Sequence, residues 1–247
     1  MKPGLIIRVA VLALLVAFLV TPQSFAPVLQ PFTKNGQPAI YTQNSLLNLT
    51  LSHLAIVALA TAAATIIALG LAVLVTRPAG REFLPLSRTL ANVGQTFPPV
   101  AVLALAVPIL GFGTEPTLVA LFLYGLLPIF ENALTGLTTI SPEIEESARA
   151  TGMTETQRLL QIELPLVLPL ILSGVRLSTV ISIGTATIGS TVAAATLGEA
   201  IIAGLINANL AFVLQGGVIV AVLAVLVSDV FGIAERWAAR RAGQLRR

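Results

Sequence analysis

Residues 141–165 read SPEIEESARATGMTETQRLLQIELP, a charged stretch in a chain otherwise dominated by Leu, Val, Ile and Ala. Ser141-Pro142 is a helix start, a capping hydroxyl followed by proline at the first helical position. Glu143, Glu145 and Glu146 follow at the positive end of the helix dipole. Gly152 stops that helix by permitting a left-handed residue. Thr154 then opens a second helix, with Gln157 completing a capping box, and Pro165 is expected to end it. The stretch therefore predicts helix, glycine turn, helix.

Its surroundings decide where that pair sits. Of 247 residues, 56% are apolar and only 10% charged, against roughly 25% charged in soluble domains. So little charge cannot cover a water-facing surface, and lipid must be the solvent. Spans of about 20 apolar residues fall at 5–21, 51–75, 90–110 (bent by Pro98, Pro99 and Pro108), 117–137 (with Pro128 inside), 166 to about 195, and 216–236. The organisation predicted is a first span and its connection over 1–45, a transmembrane core over 46–236, and a basic tail over 237–247.

Lys and Arg set the orientation. Arg77, Arg81 and Arg88 lie between the second and third spans, Arg149 and Arg158 between the fourth and fifth. Lys2 and Arg8 open the chain; Arg236, Arg240, Arg241, Arg246 and Arg247 close it. The opposite side holds only Lys34. Both termini and the 141–165 pair are therefore expected in the cytoplasm. Lys2, Arg8, the apolar run 9–20 and Ser24-Phe25-Ala26 loosely fit a cleaved leader, but Pro27 argues against cleavage, so the first span is expected to stay.

Composition also excludes chemistries. There is no cysteine and one histidine, His53, so disulfides, thiol catalysis and a zinc site fall away. His53 reads as a packing or interfacial side chain. Neither lysine ends a G-x-x-x-x-G-K-[ST] loop, so any ATP that drives this chain binds elsewhere. The net charge of +3 is explained by topology and not by a nucleic-acid face. No G-x-S-x-G motif supports a hydrolase, and no internal repeat supports an ion-coupled secondary transporter.

Facing the anionic inner leaflet, Glu143, Glu145, Glu146, Glu155 and Glu163 suit a protein partner better than lipid headgroups. The spacing Glu146-Ser147-Ala148, Gly152, Ile162, Leu164-Pro165 resembles the EAA motif of binding-protein-dependent ABC importers, with Ser147 where the motif has alanine. The strings Asn92-Val93-Gly94-Gln95-Thr96-Phe97-Pro98-Pro99 and Val180-Ile181-Ser182-Ile183-Gly184-Thr185-Ala186-Thr187-Ile188 resemble osmoprotectant permeases for glycine betaine, carnitine and choline, and Val75-Thr76-Arg77-Pro78 with Gly94–Val102 looks closest to the low-affinity Yeh-type betaine permeases. The resemblance implies an all-α integral membrane protein with the type I importer (MetI-like) permease fold and a cytoplasmic coupling-helix pair. It implies a transport subunit, not an enzyme, in the inner membrane. Its partners would be a second permease subunit, identical or related, two ABC ATPases that bind ATP and Mg, and a periplasmic or lipid-anchored solute-binding protein; the chain itself would bind no cofactor. A permease for another small polar solute, such as an amino acid, is the alternative. The family motif usually carries a glycine cluster after the fifth span, where this chain reads Ala193-Ala194-Ala195-Thr196-Leu197-Gly198.

Two further groups carry expectations. Ser178, Ser182, Thr185 and Gly189 share one helical face, read either as a wall of the translocation path or as small-residue helix packing. Glu131, Arg176 and Asp229 are intramembrane charges, candidates for a structural or gating ion pair. With aromatics at 5%, a cage for a quaternary ammonium within this subunit is not expected.

Overall fold

The computed structural model describes residues 3–34 and 36–243. Lys2, Arg246 and Arg247, counted above for orientation, lie outside the described residues. All regular structure among the described residues is helical: α1 (Pro3–Val20), α2 (Leu46–Thr76), α3 (Leu84–Thr96), α4 (Pro99–Leu110), α5 (Thr114–Thr138), α6 (Pro142–Ala150), α7 (Glu155–Val192), α8 (Gly198–Ile206) and α9 (Leu210–Arg241), with short turns over Pro22–Phe32 and Arg81–Phe83. In hydrocarbon every backbone group needs an internal partner, and helices supply it. Four helices, α2, α5, α7 and α9, are long and apolar enough to cross a membrane; the count is six if each bent pair is one span.

The structure sharpens the predicted spans. Over 90–110, where a span bent at its prolines is expected, helices Arg81–Thr96 and Pro99–Leu110 form a pair bent by 96°. Phe97 precedes Pro98 and is extended (φ −82°, ψ 133°), and Pro98 in turn precedes Pro99 and has ψ 140°. A residue before proline is pushed out of the helical region, so two in succession break the helix. The fifth span is corrected. Pro165 does not end the second helix of the 141–165 pair, because α7 begins at Glu155 and runs through it to Val192. A π turn at Leu159–Glu163 widens the helix just before the proline, where its ring would otherwise strike the preceding turn.

The chain forms two compact units. The first comprises Met1–Ala60, Pro98–Leu121 and Val180–Val227. Its core gathers Leu15 and Leu19 of α1 with Leu49, Val57, Leu121, Ile183, Leu197 and Ile219. His53 is fully buried in it: Nε2 donates to the Ile183 carbonyl at 2.9 Å, and Nδ1 accepts from the Leu197 N–H at 3.3 Å. Both ring nitrogens are used in the neutral form, which is the packing role expected. The polar stretch before α2 is laced to the α8–α9 region. Gln37 donates to Asn207 O, Asn209 to Pro38 O, Gln215 to Ala39 O, and Tyr41 to the Glu199 carboxylate at 2.7 Å. Burial, with the Glu199 hydrogen bond and charge beside it, pushes the Tyr41 hydroxyl well above its ordinary range.

The second unit comprises Thr61–Phe97, Phe122–Thr179 and Ser228–Arg247. Ala64, Ala68 and Ala72 sit every fourth residue on α2, all fully buried against a core with Ile129, Phe130, Ala133 and Val167. Small residues at this spacing let helix backbones approach closely, the dominant association mode in lipid. Leu59, Ile66 and Leu74 on the same helix are exposed, as side chains that face acyl chains are.

Candidate functional site

The 141–165 pair forms largely as the sequence dictates. Gly152 has φ +78°, and nothing lies within 4 Å of where a Cβ would stand; the glycine is required by the left-handed backbone and not by crowding. Thr154 and Gln157 form the reciprocal capping box. Ser141 is the N-cap of α6 but makes no side-chain cap bond. A hydrogen bond from its own backbone N–H, and a second from the Ser141 hydroxyl, hold the Glu143 carboxyl below the usual carboxylate range.

The motif residues divide by role. Ala148 is buried, while Glu146, Ser147 and Gly152 are exposed, Ile162 and Leu164 half-buried and Pro165 exposed. Ser147 stands where the motif has alanine and donates back to Glu143 O at 2.7 Å, so its hydroxyl is satisfied within the helix. The exposed side of α6 offers Glu143, Ile144, Glu146 and Arg149.

What holds this pair was not singled out in the sequence. Glu163 is buried and clamped by two guanidinium groups. Arg158 donates through Nε at 2.7 Å, Arg77 donates through Nη1 at 3.2 Å, and the Arg77 Nη2 group closes on the other carboxylate oxygen. Arg77 comes from the end of α2, so the clamp ties the base of the 141–165 pair to a second segment. The hydrogen bond with Glu163 raises the Arg77 pKa against the opposing effect of burial. The signal in the sequence was an acid placed five residues after an arginine, a spacing without meaning on an ordinary α-helix.

The other expectations fare differently. Ser178 and Ser182 are buried and their hydroxyls have no hydrogen-bond partner among the described residues; Gly189 is buried and Thr185 half-buried. A Cβ on Gly125 would lie 2.7 Å from Ser178 Oγ, and one on Gly189 would lie 2.6 Å from Thr117. Ser178 and Gly189 are thus closely packed, each within its own unit. Of the three intramembrane charges, Glu131 and Arg176 each sit in an ion pair, with partners from outside the three. Glu131 accepts from Arg88 at 3.0 Å; Arg176 donates to Ser228 at 2.9 Å and to Glu235 at 3.3 Å; Asp229 is half-buried on α9. Arg88 and Glu235 are the partners the sequence reading missed. At the departure from the family's glycine cluster, Ala193 adopts φ +66°, a conformation that glycine takes without cost.

Long apolar helices, with the charged 141–165 stretch between α5 and the body of α7, make this a membrane-protein architecture. The fold matches a chain of the inward-facing MetNI methionine ABC transporter with TM-score 0.70 at 21% identity, covering 78% of this chain and 95% of that one. Residues 68–242 match the family described as binding-protein-dependent transport system inner membrane component, and the chain belongs to that family. Curated relatives include the osmoprotectant import permease protein OsmY of Salmonella typhimurium, 37% identical over 81% of this chain and 83% of the relative. The choline transport system permease protein OpuBB of Bacillus subtilis is 36% identical over 77% and 87%. The carnitine transport permease protein OpuCD of Listeria monocytogenes is 43% identical over 60% and 66%.

Proposed function

We propose that this permease subunit carries a small compatible solute of the glycine betaine or quaternary amine class across the inner membrane, driven by ATP that a separate ATPase chain hydrolyses. The observation that carries the coupling role is the exposed α6 with its left-handed glycine and capped second helix, held at its base by the Arg77–Glu163–Arg158 clamp. An element that transmits force between chains needs a firm footing, and a buried carboxylate held by two guanidinium groups provides one. The solute class rests on the relatives, whose names give osmoprotectants, choline and carnitine. In this reading two permease subunits pair, two ATPases with their ATP and Mg dock on residues 141–165 from the cytoplasm, both termini lie inside, and a solute-binding protein delivers from outside.

The test is uptake of radiolabelled glycine betaine, carnitine and choline into proteoliposomes that hold the permease with its ATPase and binding protein. ATP-dependent uptake of at least one is expected. Uptake that survives removal of the ATPase and collapses with an ionophore would overturn the reading. A reporter active only in the periplasm, fused after the C-terminus, should stay silent.

A further inference from the structure

Helix α3 of the second unit has three distinct faces. Ser87, Ala91 and Gly94 are buried, and a Cβ on Gly94 would stand 2.2 Å from the Leu123 carbonyl, so this stripe lies close against α5. Leu86, Leu90, Val93 and Phe97 form a second, exposed apolar stripe that suits lipid or another apolar helix. The third face carries Arg88, Asn92 and Gln95, with Thr89 and Thr96 at its edge, all exposed. Steps of four and three put Arg88, Asn92 and Gln95 on one line.

This polar line runs antiparallel to a matching line on α5. Arg88 donates to both oxygens of Glu131, at 3.0 and 3.4 Å, and Gln95 donates to the Tyr124 carbonyl at 3.2 Å. Tyr124 hydrogen-bonds through its hydroxyl to the Phe97 carbonyl, which fixes the ring across the two helices. Arg88 to Gln95 and Tyr124 to Glu131 each span seven residues, about 10 Å of helix. The side chains of the ion pair are 50% and 36% exposed. An ion pair that open cannot face hydrocarbon without heavy cost, and a buried structural pair would not be left half uncovered. On the lone subunit the seam is therefore open, and a water-lined path is an environment that suits it.

We infer that this seam, Arg88, Asn92 and Gln95 facing Tyr124 and Glu131, is a solute-contacting wall of the translocation path, with the Arg88–Glu131 pair reading the two ends of a zwitterion. The inference rests on the solute class proposed above. A quaternary ammonium carboxylate carries a diffuse cation, which a carboxylate and an aromatic face attract, and a carboxylate, which a guanidinium binds in bidentate fashion. The seam offers all three groups. Arg88 and Glu131 neutralise each other when the seam is empty, so the solute exchanges one ion pair for two, and no net charge is left to trap it.

The test uses the reconstituted permease–ATPase assembly with Asn92→Cys, in a chain that has no other cysteine. A sulfonated thiol reagent should label position 92, and glycine betaine should slow the labelling about tenfold at about ten times its Kd, against a sodium chloride control of equal osmolality. Arg88→Gln in the same background should abolish that protection by betaine. A residue 92 that never reacts is covered by lipid or a subunit and overturns the wall. Labelling that betaine does not slow, or protection that Arg88→Gln leaves intact, overturns the zwitterion reading. Betaine import by the wild-type assembly without protection at position 92 refutes the seam alone; absence of both refutes the solute class as well.

Discussion

Arg158 and Glu163 lie five residues apart on one helix and are joined by a 2.7 Å hydrogen bond. On an α-helix, residues three and four apart are neighbours, and those five apart point away from each other. The π turn over Leu159–Glu163, with the Leu164 N–H reaching back to the Leu159 carbonyl, changes that geometry. It also lets the helix run on through Pro165. One local distortion therefore aims the carboxylate into its clamp and keeps α7 continuous from its cap to its far end.

Glu163→Gln should be among the most damaging single changes in this region. It takes from two guanidinium groups the carboxylate they share, and one of them is almost fully buried. Removing one partner of a buried pair costs about 3–5 kcal/mol, and the amide that remains reduces this in part. A lowered melting temperature in detergent and loss of the ATPase on purification are expected. Unchanged melting and normal co-purification would show that the clamp is not what anchors the pair.

Gly152 is separable by conformation. Because its backbone is left-handed and its surroundings are open, Gly152→Val should fail through strain of about 1–2 kcal/mol. Asn tolerates this region far better, so Gly152→Asn should keep most ATP-dependent uptake. Equal loss in both variants would point to a contact with the glycine surface itself and not to backbone geometry.

Ala193 offers the opposite case. At φ +66° it pays for a Cβ that has no use there, and Ala193→Gly should stabilise by up to about 1 kcal/mol, less the entropy glycine adds to the unfolded chain. Thermal melting decides. A fall in stability would mean that the alanine methyl contributes packing that outweighs the strain.

Position 182 should contrast with position 92. The Ser182 hydroxyl is buried within the first unit and lacks a partner there. A cysteine at Ser182 should resist a charged reagent in the assembled transporter with and without nucleotide. Rapid, nucleotide-dependent labelling would put the Ser178–Gly189 face on the path.

Tyr41 gives a pH signature. Burial and the neighbouring Glu199 raise its folded-state pKa, so the fold favours the neutral phenol. The unfolded chain ionises near its ordinary value of about 10 while the folded one does not. Stability is therefore full below that pH and falls as pH rises above it. Tyr41→Phe should melt lower at neutral pH, for lack of the bond to Glu199, but lose less between about pH 9 and pH 11. A parallel decline in both proteins would assign the alkaline loss to other groups.

The legible part of this molecule was what short-range physics fixes. Hydropathy located the apolar stretches, and the Thr154–Gln157 box and Gly152 announced themselves through backbone hydrogen bonds and dihedral preference. Breaks and partners were harder. Two adjacent prolines signalled a bend over 90–110, but its size depends on how α3 and α4 each pack. Pro165 read as a stop because nothing local announces a π turn. The Arg77–Glu163 and Arg88–Glu131 pairs join residues 86 and 43 positions apart, and composition cannot tell a topological arginine from a structural one. Helix α8 went unseen because its short apolar run lay at the end of an apparent span.

The clamp also sets a rule for anyone who would exchange docking loops between permeases. A graft of residues 141–165 carries Glu163 and Arg158 with it but leaves Arg77 behind on another segment. In a host without an arginine at that place, the imported acid would meet one cation instead of two, and the loop would lose its anchor to α2. Functional chimeras should therefore require two-point transplants, and the two segments are expected to change together as such proteins diverge.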